Sequence, residues 1–357
     1  MTSAIIPTEI AEGPEAIRKT VATARPQARE IAARLRRDGV RRIHVIGNGT
    51  SYHSSLAAAA LYGRHAEAGD PIVIPMTAGA LLTYPPALAP GDAIVGISAS
   101  GEFRDVVAVA EAWRDRVPVI AVVHVPGSTL TRIASAVVMS AGGPSDVPVM
   151  TKTFSATLAA TDVLLLELLG GERAEAAIEG ILRAADHADA AIAAAGPLVD
   201  EVASSLAGAE HVFVVGSGLA HIAAMEAALK LKEMAIVHAE GTETWEMASG
   251  AATIVGRDTV VVALAPNGAG RAATTDVVEH AAAWGARVIE VGQTSMTLGS
   301  TRFPLVPDAT EDHAPFTAVP PIALLAFALA RLRGHDPDRP DWVQRYHSQG
   351  LRHIVGV

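Results

Sequence analysis

No cysteine occurs among the 357 residues. That excludes disulfides, thiolate metal ligands and a cysteine nucleophile. Aromatic residues are few, at 4%, so the apolar half of the chain is largely Ala and Val, which suits close packing of helices on sheets. Basic residues are outnumbered 28 to 38. A broad basic face for nucleic acid is therefore not expected, although a small anion held locally remains compatible. The opening MTSAIIPTEIAEG has neither a basic n-region nor an apolar h-region, so no signal peptide is expected. The longest apolar stretch, 314–330, is interrupted by Thr317, Pro320 and Pro321 and reads as too broken to span a membrane. The histidines form no HxH or HxxxH set, so neither a metal site nor a cofactor is expected. With half its residues apolar and 18% charged, the chain has material for two cores. The expectation is a cytoplasmic protein with no membrane or nucleic-acid partner.

The segment 8–38 alternates polar and apolar residues at helical spacing and ends at Asp38-Gly39, which reads as one or two helices. Arg42 to Gly47 follows as a short buried strand, then an Ala-rich helix over 54–67. Further β-branched runs lie at 71–75, 93–98, 117–123 and 136–139. Strands alternating with helices imply a parallel sheet covered on both faces. The pattern then recurs. Val212 to Gly218 matches Ile43 to Gly49, 169 positions earlier, and Asp258 to Val262 matches Asp92 to Gly96. The chain thus divides into an N-terminal helical segment (1–38), a first α/β domain (39–170), a helical connector (171–205) broken at Pro197, a second copy (206–340) and a tail (341–357).

Both copies carry a strand–GxG–helix unit, but the third glycine of a dinucleotide fingerprint is Tyr52 in one and His221 in the other. A nicotinamide site is therefore not expected. In the first copy two hydroxyl-bearing turns follow neighbouring strands: Gly49-Thr50-Ser51, and Ser98-Ala99-Ser100-Gly101-Glu102. Hydroxyls, backbone N–H groups and a helix N-terminus together hold a phosphate without a fixed cation; the alternative is that they only cap helices. The second copy has Ala265-Pro266-Asn267-Gly268 at the matching turn. Its hydroxyls are gone and Pro266 lacks an N–H.

The second copy's first helix brings Glu226, Lys230 and Glu233 onto one face. Their counterparts in the first copy are Ala57, Leu61 and Arg64. A salt-bridged solvent face is one reading. The polar run from His238 to Glu243, read as a loop, favours the other: the wall and floor of a pocket.

These residues resemble a known family. Glu226-x-Ala228-x-Lys230-x-Lys232-Glu233 followed by His238-Ala239-Glu240 is similar to the isomerase half of glutamine–fructose-6-phosphate amidotransferase. So are the opening Glu9-Ile10-x-Glu12-x-Pro14, Gly49-Thr50-Ser51-Tyr52, Ser98-x-Ser100-Gly101-Glu102, Val125-Pro126-Gly127-Ser128 and Thr151-Lys152-x-Phe154. In this order they mark the sugar-isomerase (SIS) family. The resemblance implies an α/β fold of two tandem SIS domains, each a flavodoxin-like α/β/α sandwich. The family enzyme's glutaminase half, which uses an N-terminal cysteine, has no counterpart here, so glutamine hydrolysis is not expected.

The resemblance implies a substrate, a hexose or hexosamine 6-phosphate. Thr50, Ser51, Ser98, Ser100 and Gly101 would hold its phosphate, and Lys152, Glu226 and His238 would contact the sugar. Glu233 would move a proton between C1 and C2, with Lys230 steadying the developing oxyanion. In that arrangement the charge of Lys230 would act to lower the pKa of Glu233 and desolvation would act to raise it, with the balance open at this point. Three positions depart from the family pattern: Ser249 stands for the ring-opening histidine, Phe103 for a phosphate-binding threonine, and His353 for a C-terminal lysine. His353 and His238 are the candidates to open the ring, and His353 would bring the tail to the active site; a substrate entering in open-chain form is the alternative. His53 and His221 read as peripheral. The implied activity is an isomerase or deaminase acting on an amino- or N-substituted hexose 6-phosphate, with a fructosamine-6-phosphate deglycase and a non-catalytic sugar-phosphate sensor as alternatives. A homodimer is the expected assembly.

Overall fold

The computed structural model describes residues 4–297 and 300–343. The chain forms two units. One comprises Glu15–Ser145 and Lys152–Leu182. The other comprises Arg183–Pro340, with the chain up to Pro14 and the short stretch Asp146–Thr151.

The N-terminal unit begins within α1 (Ile5–Arg37), one continuous helix where the sequence allowed one or two. It continues through β1 (Arg42–Gly47), α2 (Thr50–His65), β2 (Ile72–Thr77), α3 (Ala78–Thr83), β3 (Asp92–Ile97) and α4 (Arg104–Trp113). Then follow β4 (Val119–Val123), α5 (Thr129–Ile133), β5 (Ala136–Met139) and α6 (Lys152–Leu166). The five strands are parallel, in the order β2-β1-β3-β4-β5, which is the flavodoxin-like arrangement. β3 is buried along its whole length and β1 everywhere but Arg42, as strands covered on both faces must be. On one face Ile46, Leu81, Val106, Val109 and Leu130 form the core. On the other α2 packs against α6. Every residue of α6 is buried, including Lys152 and Asp162.

α7 (Gly171–Ala195) leads into the C-terminal unit. There follow α8 (Val199–Ser205), β6 (His211–Gly216), α9 (Leu219–Ala235), β7 (His238–Glu243), α10 (Thr244–Ser249) and β8 (Thr259–Ala265). α11 (Arg271–Ala283), β9 (Arg287–Gly292), β10 (Thr301–Pro304), α12 (Ala314–Thr317) and α13 (Val319–Leu332) complete it. Its parallel sheet runs β10-β9-β8-β6-β7. Read from β7, this is the same strand order as in the first unit, so the repeat seen in the sequence is a repeat of topology.

The run His238–Glu243, expected as a loop, is an edge strand. It pairs with β6 from His211↔His238 to Gly216↔Glu243. Ala239 and Thr242 are buried while His238 and Glu240 are exposed; with few β-branched residues the run gave no strand signal. The apolar stretch Glu311–Leu332 is long enough to cross a membrane by length and composition, but 67% of its apolar 18-residue window is buried. There α13 packs on α8 and α9, as a core helix does.

Candidate functional site

In the N-terminal unit the chain steps from β1 to β2 on one side and then to β3 on the other. The carboxyl ends of β1 and β3 therefore form the switch point where open α/β sheets take ligands. The two hydroxyl turns lie there. The GxG pair makes the first possible. A Cβ on Gly47 would stand 2.6 Å from the Ser51 carbonyl carbon, and Gly49 has φ +52°. Helix and strand approach too closely, and the turn is too sharp, for other residues. This explains both glycines without a dinucleotide.

Thr50 and Ser51 open α2 and are buried, as is Ser98, while Ser100 is exposed. Within the second turn Ser98 Oγ accepts the Gly101 N–H at 3.1 Å, and Ser100 Oγ accepts the Glu102 N–H at 3.2 Å. Asn48 donates to the Asp105 carboxylate and so ties the two turns together. The Glu102 carboxylate accepts the Thr129 N–H at 2.7 Å. That bond holds its pKa below the usual range and fixes its charge at the start of α5. Ser128, part of the Val125–Ser128 motif, is buried beside Gly101, and among the described residues its Oγ has no hydrogen-bond partner. It is a further hydroxyl at this switch point to which sequence reading gave no role.

The matching turn of the C-terminal unit is already filled. The Glu311 carboxylate lies against Gly268 and accepts the Gly270 N–H at 3.1 Å. Asn267 Nδ2 donates to the Pro307 carbonyl at 2.9 Å. An internal carboxylate occupies the position an anion would take, which gives a physical reason for the missing hydroxyls.

The charged side chains of this unit cluster elsewhere. On α9 the Lys230 ammonium sits 3.0 Å from Glu226 Oε1 and 2.7 Å from Glu233 Oε2. The side chains of Lys230 and Glu226 are 1% exposed, and that of Glu233 is 24% exposed. This rules out a solvated salt-bridge face. Burial pulls the Lys230 pKa down, but the two carboxylates outweigh it and the net shift is upward. The lysine is therefore held charged, with Glu233 as the member of the cluster that water reaches. Because α9 runs back against the strands it connects, the cluster lies towards their amino-terminal ends.

His238 opens β7. Its ring meets that of His211, with centroids 5.5 Å apart. Lys152 is the buried first residue of α6, in the other unit. Ser249 is exposed on α10 and donates to the Trp245 carbonyl at 2.7 Å. Glu9 and Thr151, from two separate motifs, hold each other: Thr151 Oγ1 donates to Glu9 Oε2 at 2.8 Å. His353 lies outside the described residues. Within the N-terminal unit the structure thus brings Thr50, Ser51, Ser98, Ser100 and Gly101 to neighbouring strand ends. Within the C-terminal unit it brings Glu226, Lys230 and Glu233 together.

Residues 39–167 and 205–300 match the SIS domain. The chain is 32% identical over 338 residues to glutamine–fructose-6-phosphate aminotransferase (isomerizing) of Pyrococcus horikoshii; the match covers 93% of this chain and 55% of that protein. The chain thus spans about half the length of such curated relatives. Among solved structures, the C-terminal domain of glucosamine-fructose-6-phosphate aminotransferase from Francisella tularensis superposes with a TM-score of 0.85 at 22% identity, covering 94% of this chain and 98% of that one. Tagatose-6-phosphate ketose/aldose isomerase from Escherichia coli superposes with a TM-score of 0.80 at 20% identity, covering 94% and 95%.

Proposed function

Because the chain belongs to the SIS-domain family, we propose that it is a phosphosugar isomerase whose substrate is an amino- or N-substituted hexose 6-phosphate. The observation that carries this reading is the buried Glu226–Lys230–Glu233 cluster. Charges are costly to bury, and this cluster keeps one carboxylate facing outward. It is a proton-transfer group held in place from behind.

The Glu233 carboxylate takes the proton from C2 of an open-chain aldose, next to the C1 carbonyl. The electron pair shifts to the carbonyl oxygen, which takes up a proton from the C2 substituent, and the proton held by Glu233 is delivered to C1. With nitrogen on C2 the product is a ketimine, which water hydrolyses to ketose and ammonia. Lys230 acts through Glu233, fixing its position and keeping a positive charge behind it. Thr50, Ser51, Ser98 and Ser100, with the Gly101 backbone, grip the phosphate. The relatives named as aminotransferases of fructose 6-phosphate support a hexose phosphate and a nitrogen-bearing intermediate. With nitrogen on C1 of a ketose the transfer would run the other way, from C1 to C2, and hydrolysis of the resulting aldimine would release aldose and amine, a deglycase reaction.

The test is turnover. Glucosamine 6-phosphate, fructosamine 6-phosphate and fructose 6-phosphate are incubated with the protein, and ammonia and ketose are measured. Ammonia from at least one aminated substrate is expected. A second reading, a sugar-phosphate sensor, draws on Ser249, a poor acid–base group standing where the family has its ring-opening histidine. Thermal stabilisation by these ligands with no turnover of any of them would favour the sensor and end the enzyme assignment.

A further inference from the structure

The C-terminal unit holds a cleft that none of these roles uses. The chain steps from β6 to β7 in one direction and from β8 to β9 in the other, so right-handed crossovers place α9 and α11 on opposite faces of the sheet. The cleft lies on the α11 face, between α10 and α11, and measures about 310 Å³. Small-ligand pockets begin at roughly that size.

Its floor includes Met247 and Ala281, and its walls include Trp245 and Trp284. The chain has four tryptophans in all, and these two are 67% and 49% exposed. Indoles are usually well covered, because they bring large apolar area to any contact. Asp276 also lines the cleft, and among the described residues its carboxylate makes no hydrogen bond or ion pair. His280, one helical turn on, donates from Nδ1 to the Asp276 carbonyl at 2.7 Å. Its ring lies 6.1 Å from that of Trp284 and so props that wall. The Thr244 hydroxyl is engaged with that of Thr274 at 3.0 Å.

We propose that this cleft binds an organic ammonium ion with a compact apolar body. Indole faces attract cations through the ring quadrupole, and Asp276 supplies the countercharge. Among the described residues neither lysine nor arginine lines the cleft, so no fixed positive charge awaits an anion. The polar lining is too sparse for a sugar, whose hydroxyls would be left without hydrogen bonds.

The probe is 2-phenylethylammonium, titrated calorimetrically into the 357-residue chain at pH 8, with 2-phenylethanol as its uncharged counterpart. One amine should bind per chain, about fivefold or more tighter than the alcohol. Asp276→Asn should abolish that difference and leave the alcohol unchanged. Trp284→Ala should weaken both. Melting curves check that the variants fold; Asp276 is exposed, so its replacement disturbs no core. Equal affinity for amine and alcohol, tighter binding of glucosamine than of the amine, or no binding at all would overturn the proposal. So would loss of self-association in Trp284→Ala with no amine binding by the parent chain, which would make this face a contact between copies.

Discussion

A lysine with 1% exposure and two carboxylates within 3.0 Å fixes the character of α9. Its spacing was legible in the sequence, because i, i+4 and i+7 share a helix face. What spacing does not reveal is whether that face meets water, and burial is what separates this cluster from an ordinary solvated ion pair. Lys230→Met should destabilise the fold by about 3–5 kcal/mol, since Glu226 would be left buried without its countercharge. Urea denaturation would measure this, and adding Glu226→Gln should recover part of the loss. Asp162 had no sequence signal at all. It is buried in α6, its Oδ1 lacks a partner among the described residues, and burial raises its pKa well above the ordinary value. A raised carboxyl favours the fold below the unfolded-state pKa of about 3.9, and that contribution is lost as pH rises through the folded-state value. Asp162→Asn should therefore be more stable than the parent at pH 8, with the gap narrowing towards pH 4. Melting temperatures across that range would check it, and a gap that widens in acid would contradict it.

Helices and strands were read well where hydrophobic runs were continuous. The strand-like runs became β2 to β5, and the two GxG turns close β1 and β6. β7 was missed because tertiary pairing, and not β-propensity, makes His238–Glu243 a strand. That α6 is wholly buried in the N-terminal unit was not legible, because it depends on what surrounds the helix. The glycines give a sharp test. Gly47→Ala should cost about 1–3 kcal/mol, because its Cβ would enter the backbone of α2. Gly63→Ala, in the same helix with nothing within 4 Å of its Cβ, should stabilise by about 0.5–1 kcal/mol. Thermal melts of the two variants should move in opposite directions.

Two copies of one topology have diverged in what they offer. The N-terminal copy keeps hydroxyls at its switch point; the C-terminal copy fills the corresponding turn with Glu311 and carries its charges on α9. The repeat and the lost hydroxyls were visible in the sequence, while the carboxylate that replaces them, 43 positions beyond Gly268, was not. This division of labour predicts a kinetic split. Ser98→Ala combined with Ser100→Ala should raise KM for a hexose 6-phosphate severalfold and largely spare kcat, as loss of uniform binding does. Glu233→Gln should instead remove the chemistry. The decisive experiment follows solvent deuterium entering C1 or C2 of a hexose 6-phosphate that the parent protein turns over, with ligand-induced stabilisation measured alongside. Glu233→Gln should still bind the sugar phosphate and show no exchange above background. Undiminished exchange in that variant would mean that another group moves the proton and that the buried cluster on α9 is not the catalytic centre.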